Sequence, residues 1–481
     1  MRRRLSCVLA GLLVAGAVAF GQERFRKSPP VPDRLPELNL PKIDSIRLSN
    51  GLTVAVIYVK NSPFISAQLT ILAGESDCPE GLPGLAGFTA EMVSRGTALV
   101  SASEIEERLE DIGGLLSTSA TFDYSRLSLH FLDEYLDRGL EILSLMALQP
   151  DFPDREVAAL KLNRRYGMLQ EERDPEFIGR RQLLRLLFGG HPYRKGLYGQ
   201  DAFRIIRRRD AEDFHRRYYR PNNAVMVLAG DLNLTAAART VSRFFSTWRE
   251  GGAPRQHGPL AVPGDQERTC LVDLPRAKDA TVFAGNLVIP IDDPAFFPFL
   301  VLNQVLGGTP NSRLFMNLRE SKEYAHFAFS ELDLSQSGGL FAVRARVVPS
   351  ACRAAVQEIL AEVDRISREK VSTAELEQAK AYLIGHFPLQ VGRLEAMAQR
   401  VSDLMTYSLG DAFWDKFNDN LMLVDAESVL AVGARFLGTP PVVVIVGDKA
   451  ILTEYVREFP RVEVYDVKGA LLYTMLKGVE E

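Results

Sequence analysis

The sequence predicts an α+β protein built from two homologous halves, each a set of strands with accompanying helices, joined by a linker. Three observations predict it. Gly230-Asp231 closes an apolar, strand-like run in the first half and Gly447-Asp448 closes one in the second, about 217 residues later. The strands that open each half stand at nearly the same offset, the mark of an internal duplication. Between them, Glu250 to Gln266 holds three prolines and four glycines with little apolar content and reads as a linker. With 481 residues and 46% hydrophobic content, the chain can bury more than one sizeable core. The expected divisions are 1–21 for a signal peptide, 22–42 for an extended leader, 43–249 for the N-terminal domain, 250–266 for the linker and 267–470 for the C-terminal domain.

Arg2, Arg3 and Arg4 precede an apolar run from Leu5 to Phe20 that ends in small residues, which is the pattern of a secretory signal too short for a stable span. Cleavage near Gly21 would remove three arginines and take the net charge from -4 to about -7. An exported protein follows, periplasmic or extracellular, with no membrane attachment after cleavage; an uncleaved anchor is the alternative. Lys+Arg 57 against Asp+Glu 61 argues against a nucleic-acid or anionic-membrane binder. Beyond the signal, Cys78, Cys270 and Cys352 lie far apart and permit at most one disulfide. No C-x-x-C pair suggests structural zinc.

Gln22 to Lys42 is rich in Pro, Arg and Lys and lacks apolar periodicity. Ile46 to Tyr58, broken by Asn50-Gly51, predicts a hairpin, and Phe64 to Ala73 a third strand. Ser103-Glu104-Ile105-Glu106 reads as a capping box opening a helix with Ile105, Leu109 and Ile112 on its apolar side. Leu115 to Thr121 and Arg126 to Leu132 predict two more strands, with Leu127, Leu129 and Phe131 facing one way and His130 facing solvent. Helices dominate from Glu134 to Tyr219, interrupted at 150–153, 174–175 and 189–193. The run Arg204 to Arg209 reads as a solvated helix flank, with a patch for an acidic partner as the other reading. Asn223 to Ala229 predicts a buried strand and Leu234 to Trp248 an amphipathic helix. The second half repeats the pattern, with strands from Thr269 to Pro290, a helix from Phe296 to Leu306 and a late strand from Val442 to Val446.

The stretch Gly84 to Thr97 carries the functional question. Leu85, Phe88 and Met92 would form one buried helical stripe, while Gly87 and Glu91, four apart, would share a neighbouring face. With Gly84, Ala86, Phe88, Met92, Gly96 and Thr97 as anchors, this stretch resembles the zinc helix of the pitrilysin/insulinase peptidases, which include the mitochondrial processing peptidases. The resemblance puts the inverted zinc motif H-x-x-E-H on Gly87 to Glu91. Gly87 and Glu91 replace two histidine ligands, and Ala90 replaces the catalytic glutamate. Glycine and alanine can neither hold zinc nor accept a proton from metal-bound water. The family's third ligand, a glutamate, falls on Tyr166 or Gly167 when counted back from Asp174-Pro175. Glu171 and Glu172 nearby read as solvated carboxylates, and His191, in a Gly-x-His-Pro-Tyr turn that the family shares, as structural. No metal is expected on this chain.

The resemblance continues in the second half. Ser312-Arg313-Leu314-Phe315, Leu318-Arg319-Glu320 and Tyr324-Ala325-His326 are similar to a family segment whose arginine and tyrosine reach toward substrate at the zinc site. Arg319 keeps the arginine, and His326 stands at the tyrosine position. Such a pair would donate hydrogen bonds to the substrate backbone and to the oxyanion formed when water attacks the peptide carbonyl. Arg319 can donate without titrating, whereas the donor capacity of His326 depends on tautomer and pH. Strand alternation would put Tyr324 and His326 on one face, so Tyr324 could supply the missing phenol. Taken alone, Arg319 reads as a surface helix residue and His326 as a partly buried strand histidine. Ala379 to Gly385 with Phe387-Pro388-Leu389 extends the similarity, which covers Ile46 to Tyr465.

The resemblance implies two processing-peptidase-like α/β domains, each an antiparallel sheet covered by helices, arranged as a clamshell. It implies a zinc-less subunit of an exported heterodimeric zinc peptidase, contributing Arg319, Tyr324 and His326 to a chamber for unfolded peptide. A homologous partner subunit with an intact H-x-x-E-H would hold the zinc. The alternative is a non-enzymatic scaffold or peptide-binding protein of the same fold. An independent hydrolase has no support in a G-x-S-x-G elbow, a P-loop or a clustered Cys/His pair.

Overall fold

The computed structural model describes residues 41–195, 198–252, 260–261, 268–410 and 412–477. The signal peptide, the leader except its last two residues and most of the linker lie outside the described residues. Ile43–Arg47 (β1) and Thr53–Tyr58 (β2) form the expected hairpin, with Gly51 at φ 84° supplying the left-handed turn position. Phe64–Ile71 (β3), Leu115–Ala120 (β4), Ser125–Leu132 (β5) and Ala224–Gly230 (β6) complete a six-stranded sheet in the order β1-β2-β6-β3-β5-β4. Thr269–Asp273 (β7), Ala280–Val288 (β8), Ala325–Ser335 (β9), Gly338–Val347 (β10), Val442–Gly447 (β11), Arg461–Tyr465 (β12) and Leu471–Leu476 (β13) form the second sheet, ordered β13-β12-β7-β11-β8-β10-β9.

Apart from the outer strands β1, β12 and β13, both sheets place their strands as first, fifth, second, fourth, third. In each, the pairing of first with fifth is parallel and the others are antiparallel. The duplication reaches single hydrogen bonds. Asp231 Oδ2 accepts the Asn61 N–H at 2.8 Å, and Asp448 Oδ2 accepts the Arg276 N–H at 2.8 Å. Both donors have positive φ, 58° and 68°. That conformation is unfavourable for a residue with a Cβ, and the aspartate closing the fifth strand offsets the cost by holding the N–H.

The longer helices of the first half are α1 (Leu85–Met92), α2 (Ala102–Asp111), α3 (Leu136–Leu148), α4 (Asp154–Glu171), α5 (Pro175–Phe188), α6 (Arg208–Tyr218) and α7 (Leu234–Phe245). Those of the second are α8 (Phe296–Gly307), α9 (Cys352–Arg368), α10 (Thr373–Val391), α11 (Leu394–Tyr407), α12 (Ala426–Leu437) and α13 (Lys449–Val456). The cap of α2 lies two residues earlier than its sequence suggested. Ser101 Oγ accepts from Glu104 N at 3.3 Å, and the Glu104 carboxylate reaches back to Ser101 N at 2.9 Å, so Ser103 falls inside the first turn. Three of the four arginines in the run are ion-paired: Arg204 with Asp201 at 3.4 Å, Arg208 with Glu212 at 2.7 Å and Arg209 with Asp213 at 3.7 Å.

Each half covers the other's sheet with one of its helices. Asp174 caps α5 by accepting Glu176 N at 3.0 Å, Pro175 occupies the first turn, and Ile178, Leu183, Leu184 and Leu187 then pack on Cys270, Val272, Phe283 and Val444 of the second sheet. The fit is close enough that a Cβ at Gly179 would stand 2.5 Å from the Phe283 ring. Reciprocally, Ala398 and Val401 of α11 pack on Ala55, Ile57, Val225 and Val227 of the first sheet. His130, expected in solvent, lies under this exchange. It is partly buried, stacks on Phe64 at 4.9 Å and stands 3.4 Å from Glu395, because α11 covers the sheet face that half a chain would leave open.

The seam has a polar centre. Arg126 is 1% exposed, donates through Nε to Thr70 Oγ1 at 2.8 Å and through Nη2 to Asp403 Oδ1 at 3.0 Å, and lies 4.2 Å over the Tyr124 ring. Ser402 Oγ donates to Gln68 Oε1 at 3.1 Å beside it. Removing Asp403 would leave a buried guanidinium without its counter-charge, so Asp403→Ala is expected to destabilise the fold by about 3 kcal/mol. Urea unfolding of the variant checks this, and a loss within error of zero would mean that Arg126 finds another partner.

Candidate functional site

α1 lies against the edge strand β4, and its N-cap, Gly84, sits at φ 85° where a Cβ would meet the Tyr198 ring at 2.8 Å. Leu85, Phe88 and Met92 are buried in the first core, and Gly87 and Glu91 share the partly exposed neighbouring face, as their spacing required. The space beside Gly87 is taken. A Cβ there would stand 3.3 Å from Glu75 Oε1 and 3.4 Å from the Tyr198 hydroxyl. Glu75 is 4% exposed and accepts the N–H of Gly87 and of Gly84, each at 2.9 Å, while the Cys78 thiol donates to it at 3.3 Å.

Glu91 could offer a carboxylate, but both its oxygens are held by cations. Arg164 Nε donates to Oε2 at 2.7 Å and Arg95 Nη2 to Oε1 at 2.8 Å. Ala90 is fully buried. On α4, the counted third-ligand position falls on Tyr166, 62% exposed, or on Gly167, with open space around it, while Arg164 of the same helix reaches Glu91 of α1. The residues present therefore do not fit zinc: one position has no donor, one donor is ion-paired twice, and two guanidinium groups oppose a further cation. Among the described residues, no three His, Cys, Asp or Glu side chains cluster as a metal site.

Glu171 is exposed as expected, but Glu172 is not a solvated carboxylate. It accepts from Gln200 N at 3.1 Å and Gln200 Nε2 at 3.0 Å, so it ties α4 to the segment after Tyr198. His191 is structural: its Nδ1 accepts Tyr193 N at 3.2 Å, and the Tyr193 hydroxyl donates to Asp123 at 2.5 Å and accepts Ser337 N at 3.0 Å across the seam. Cys78, Cys270 and Cys352 are buried and unbridged, and burial pushes the Cys270 and Cys352 thiols up to about 12.

Arg319 lies in a π-helical turn, Met316–Ser321, that leads into β9. Its guanidinium donates to the His326 carbonyl and lies 5.5 Å over the Phe315 ring, with about half of the side chain exposed. His326 is exposed, with Nε2 3.4 Å from Asp279 Oδ1. Tyr324 does not share its face. Val347 pairs with Ala325 and Arg346 with Phe327, so His326 is the extra residue of a bulge. The bulge breaks the alternation, and Tyr324, outside the strand, packs partly buried against the second core.

The structure brings Arg319 and His326 together, and Gly87, Ala90 and Glu91 together, but not the two groups. Asp333 to Ser335, at the far end of β9, share with Glu75, Tyr124 and Tyr407 the wall of a recess of about 900 Å³ beside α1. His326 lies seven residues from Asp333, roughly 23 Å along an extended strand. Glu75, Tyr198 and Arg164 were not marked by sequence reasoning. The one local signal was Glu75 itself, an acidic residue following the apolar β3.

Comparison with known proteins gives a consistent picture. Residues 53–201 match the family model described as insulinase, Peptidase family M16, and residues 206–383 match the Peptidase M16 inactive domain. An uncharacterized zinc protease of Bacillus subtilis, YmxG, is 23% identical over 70% of this chain and 82% of its own length. A non-peptidase homolog of Helicobacter pylori is 22% identical over 74% of this chain and 82% of its own length. Among solved structures, a peptidase M16 inactive domain from Pseudomonas fluorescens superposes with a TM-score of 0.79 at 21% identity, covering 85% of this chain and 98% of that one. The periplasmic protease PqqL from Escherichia coli superposes with a TM-score of 0.70 at 14% identity, covering 89% of this chain but 48% of that one. No helix among the described residues is long and apolar enough to cross a membrane.

Glu75 gives the site a measurable pH signature. Burial pushes its carboxyl above the ordinary 4.5, against hydrogen bonds from Gly87, Cys78 and Gly84 that favour the ionised form. A carboxyl raised on folding binds more protons in the folded state, so its contribution to stability is greatest below 4.5 and falls as pH rises through the folded value. Wild type is expected to lose stability relative to Glu75→Gln as pH climbs from 4.5, in paired urea titrations. Parallel stability profiles for the two proteins would mean that burial does not shift this carboxyl.

Proposed function

Because the chain belongs to the insulinase family, Peptidase family M16, we propose that it is the zinc-less subunit of an exported two-chain zinc peptidase and supplies Arg319 to the chemistry. The observation that carries this reading is the separation of the two groups. Arg319 and His326 stand roughly 23 Å along β9 from the recess beside α1, which supports a guanidinium that serves another chain's metal and not the Gly87 to Glu91 position of this one. A second chain, with an intact H-x-x-E-H, would put a zinc-bound water opposite Arg319. The coverage of PqqL agrees with that arithmetic, since this chain accounts for about half of that protease.

In such an assembly the partner's zinc would supply the activated water, and this chain's residues would position substrate. The guanidinium of Arg319 is half exposed and keeps donors beyond those used by the His326 carbonyl and by Glu320, 3.4 Å away. Aimed at the carbonyl under attack, it would stabilise the developing oxyanion without a change in its own protonation. His326, exposed on its bulge, would assist as a second donor, and Tyr324 would act through packing rather than contact. The outer edge of β4 offers unpaired backbone groups to which an unfolded peptide can add as a strand. The signal-like N-terminus and the periplasmic PqqL support an exported location.

The test is co-expression with a homologue bearing an intact H-x-x-E-H, followed by assay on an unfolded peptide. Zinc-dependent cleavage is expected only with both chains, and Arg319→Ala is expected to lower kcat by about 100-fold while leaving the association intact. Association with cleavage indifferent to Arg319→Ala would move the chain to the scaffold reading, which the replacement of the family tyrosine by His326 favours.

A further inference from the structure

A recess of about 1110 Å³, lined in part by Tyr198, opens between the first half and the loop that joins β12 to β13. Five cationic side chains line it: Arg181, Arg185, Arg194, Lys195 and Lys468. Three carboxylates oppose them, and each is already engaged. Glu80 pairs with Arg194 and, at 3.2 Å, with Lys195; Asp201 holds Lys468 at 3.0 Å; Glu172 spends its oxygens on Gln200 and stands 3.9 Å from Arg181. The wall thus carries an excess of two positive charges in a chain whose net charge is -4.

The excess is concentrated on α5. Arg181 and Arg185, one turn apart, project into the same recess, and Arg181 is 3% exposed. Their hydrogen bonds go to neutral carbonyls, Arg181 to Val467 at 2.5 Å and Arg185 to Lys468. Asp466 attracts both and offsets part of the excess, although its Oδ1 also accepts the N–H groups of Lys468, 2.9 Å, and Ala470, 2.8 Å. Burial, then the neighbouring Arg185, pushes Arg181 below the usual arginine value; burial, with Arg194, does the same to Arg185. A guanidinium cannot relieve this by losing its proton, so the charge persists in a low-dielectric wall with forked donors unfilled.

We propose that this recess is a binding site for a multiply charged oxyanion of the phosphate class, held by Arg181, Arg185 and Lys195 with Arg194 and Lys468 at the rim. Bidentate guanidinium forks match tetrahedral oxyanions, and an anionic ligand would offset the positive charge that Glu80, Glu172, Asp201 and Asp466 leave unbalanced. The site is separate from the peptidase reading, since neither Arg319 nor the edge of β4 takes part. Tyr198 forms its back wall and also fills the space beside Gly87, so occupancy would stiffen the packing against α1.

The test is calorimetric titration of the full chain at low ionic strength with inorganic pyrophosphate and, separately, with ADP. Pyrophosphate is expected to bind, and Arg185→Gln and Lys195→Gln are each expected to weaken it by about tenfold, the scale of one lost charge-assisted hydrogen bond. Arg209→Gln, whose side chain is 87% exposed on α6, is expected to leave binding unchanged. Thermal melts without ligand establish that the variants fold. Tighter binding of ADP with the same dependence on Arg185 would support the site and identify a nucleotide as the source of the phosphate. Absence of binding by either anion, or equal weakening by Arg209→Gln, would overturn the proposal.

Discussion

The exchange of α5 and α11 across the seam is the constraint on which the rest of the structure depends. Each helix leaves its own half to bury an apolar face on the other sheet, so neither half can complete its covering alone. At the centre of that exchange Arg126 is taken out of water and repaid only by Thr70, Asp403 and the face of Tyr124. The recess beside α1 and the arginine-lined recess behind Tyr198 are both consequences. α5 lines both, the first against Asp333 to Ser335 and Asp403 of the second half, the other against first-half loops and Lys468.

The position that the family resemblance assigns to the zinc motif is closed by this chain's own side chains. Gly87 frees volume on the helix face, and Glu75 and Tyr198 stand where a side chain would have projected. Glu91 introduces a negative charge, and Arg95 and Arg164 neutralise it. The result is internally satisfied: carboxylates meet backbone N–H groups and guanidinium groups. A histidine placed at Gly87 would meet occupied space, and a cation beside Glu91 would meet two guanidinium groups, so several elements and not one helix close this position. The exposed Arg319 and His326 have no such closure around them.

Much of the fold was legible because its signals are local and repeated. Asn50-Gly51, the alternation of β3 and β5, and the twin Gly-Asp endings of β6 and β11 each followed from neighbouring residues. The motif helix was legible too, since Gly87 and Glu91 must share a face. What escaped depended on residues distant in sequence. His130 looked solvent-facing because nothing near it announces that α11 will cover it, and Glu172 looked solvated because Gln200 is on another segment. The bulge at His326 arises from the pairing of β9 with Arg346 and Val347, and alternation read from one strand cannot reveal a register shift set by its neighbour. The capping box was misplaced by two residues because Ser101 and Ser103 offer the same hydroxyl, and only the helix start decides between them.

We propose that this chain holds no catalytic metal of its own and works as one part of a zinc-bearing pair. Metal analysis after exhaustive dialysis tests it most directly, made on the isolated chain and on the complex recovered with an H-x-x-E-H homologue. Zinc that follows the homologue into the complex and is missing from the isolated chain is the predicted result. Stoichiometric zinc on the isolated chain, lost on Glu91→Ala, would contradict it and mean that the arginines yield to the metal.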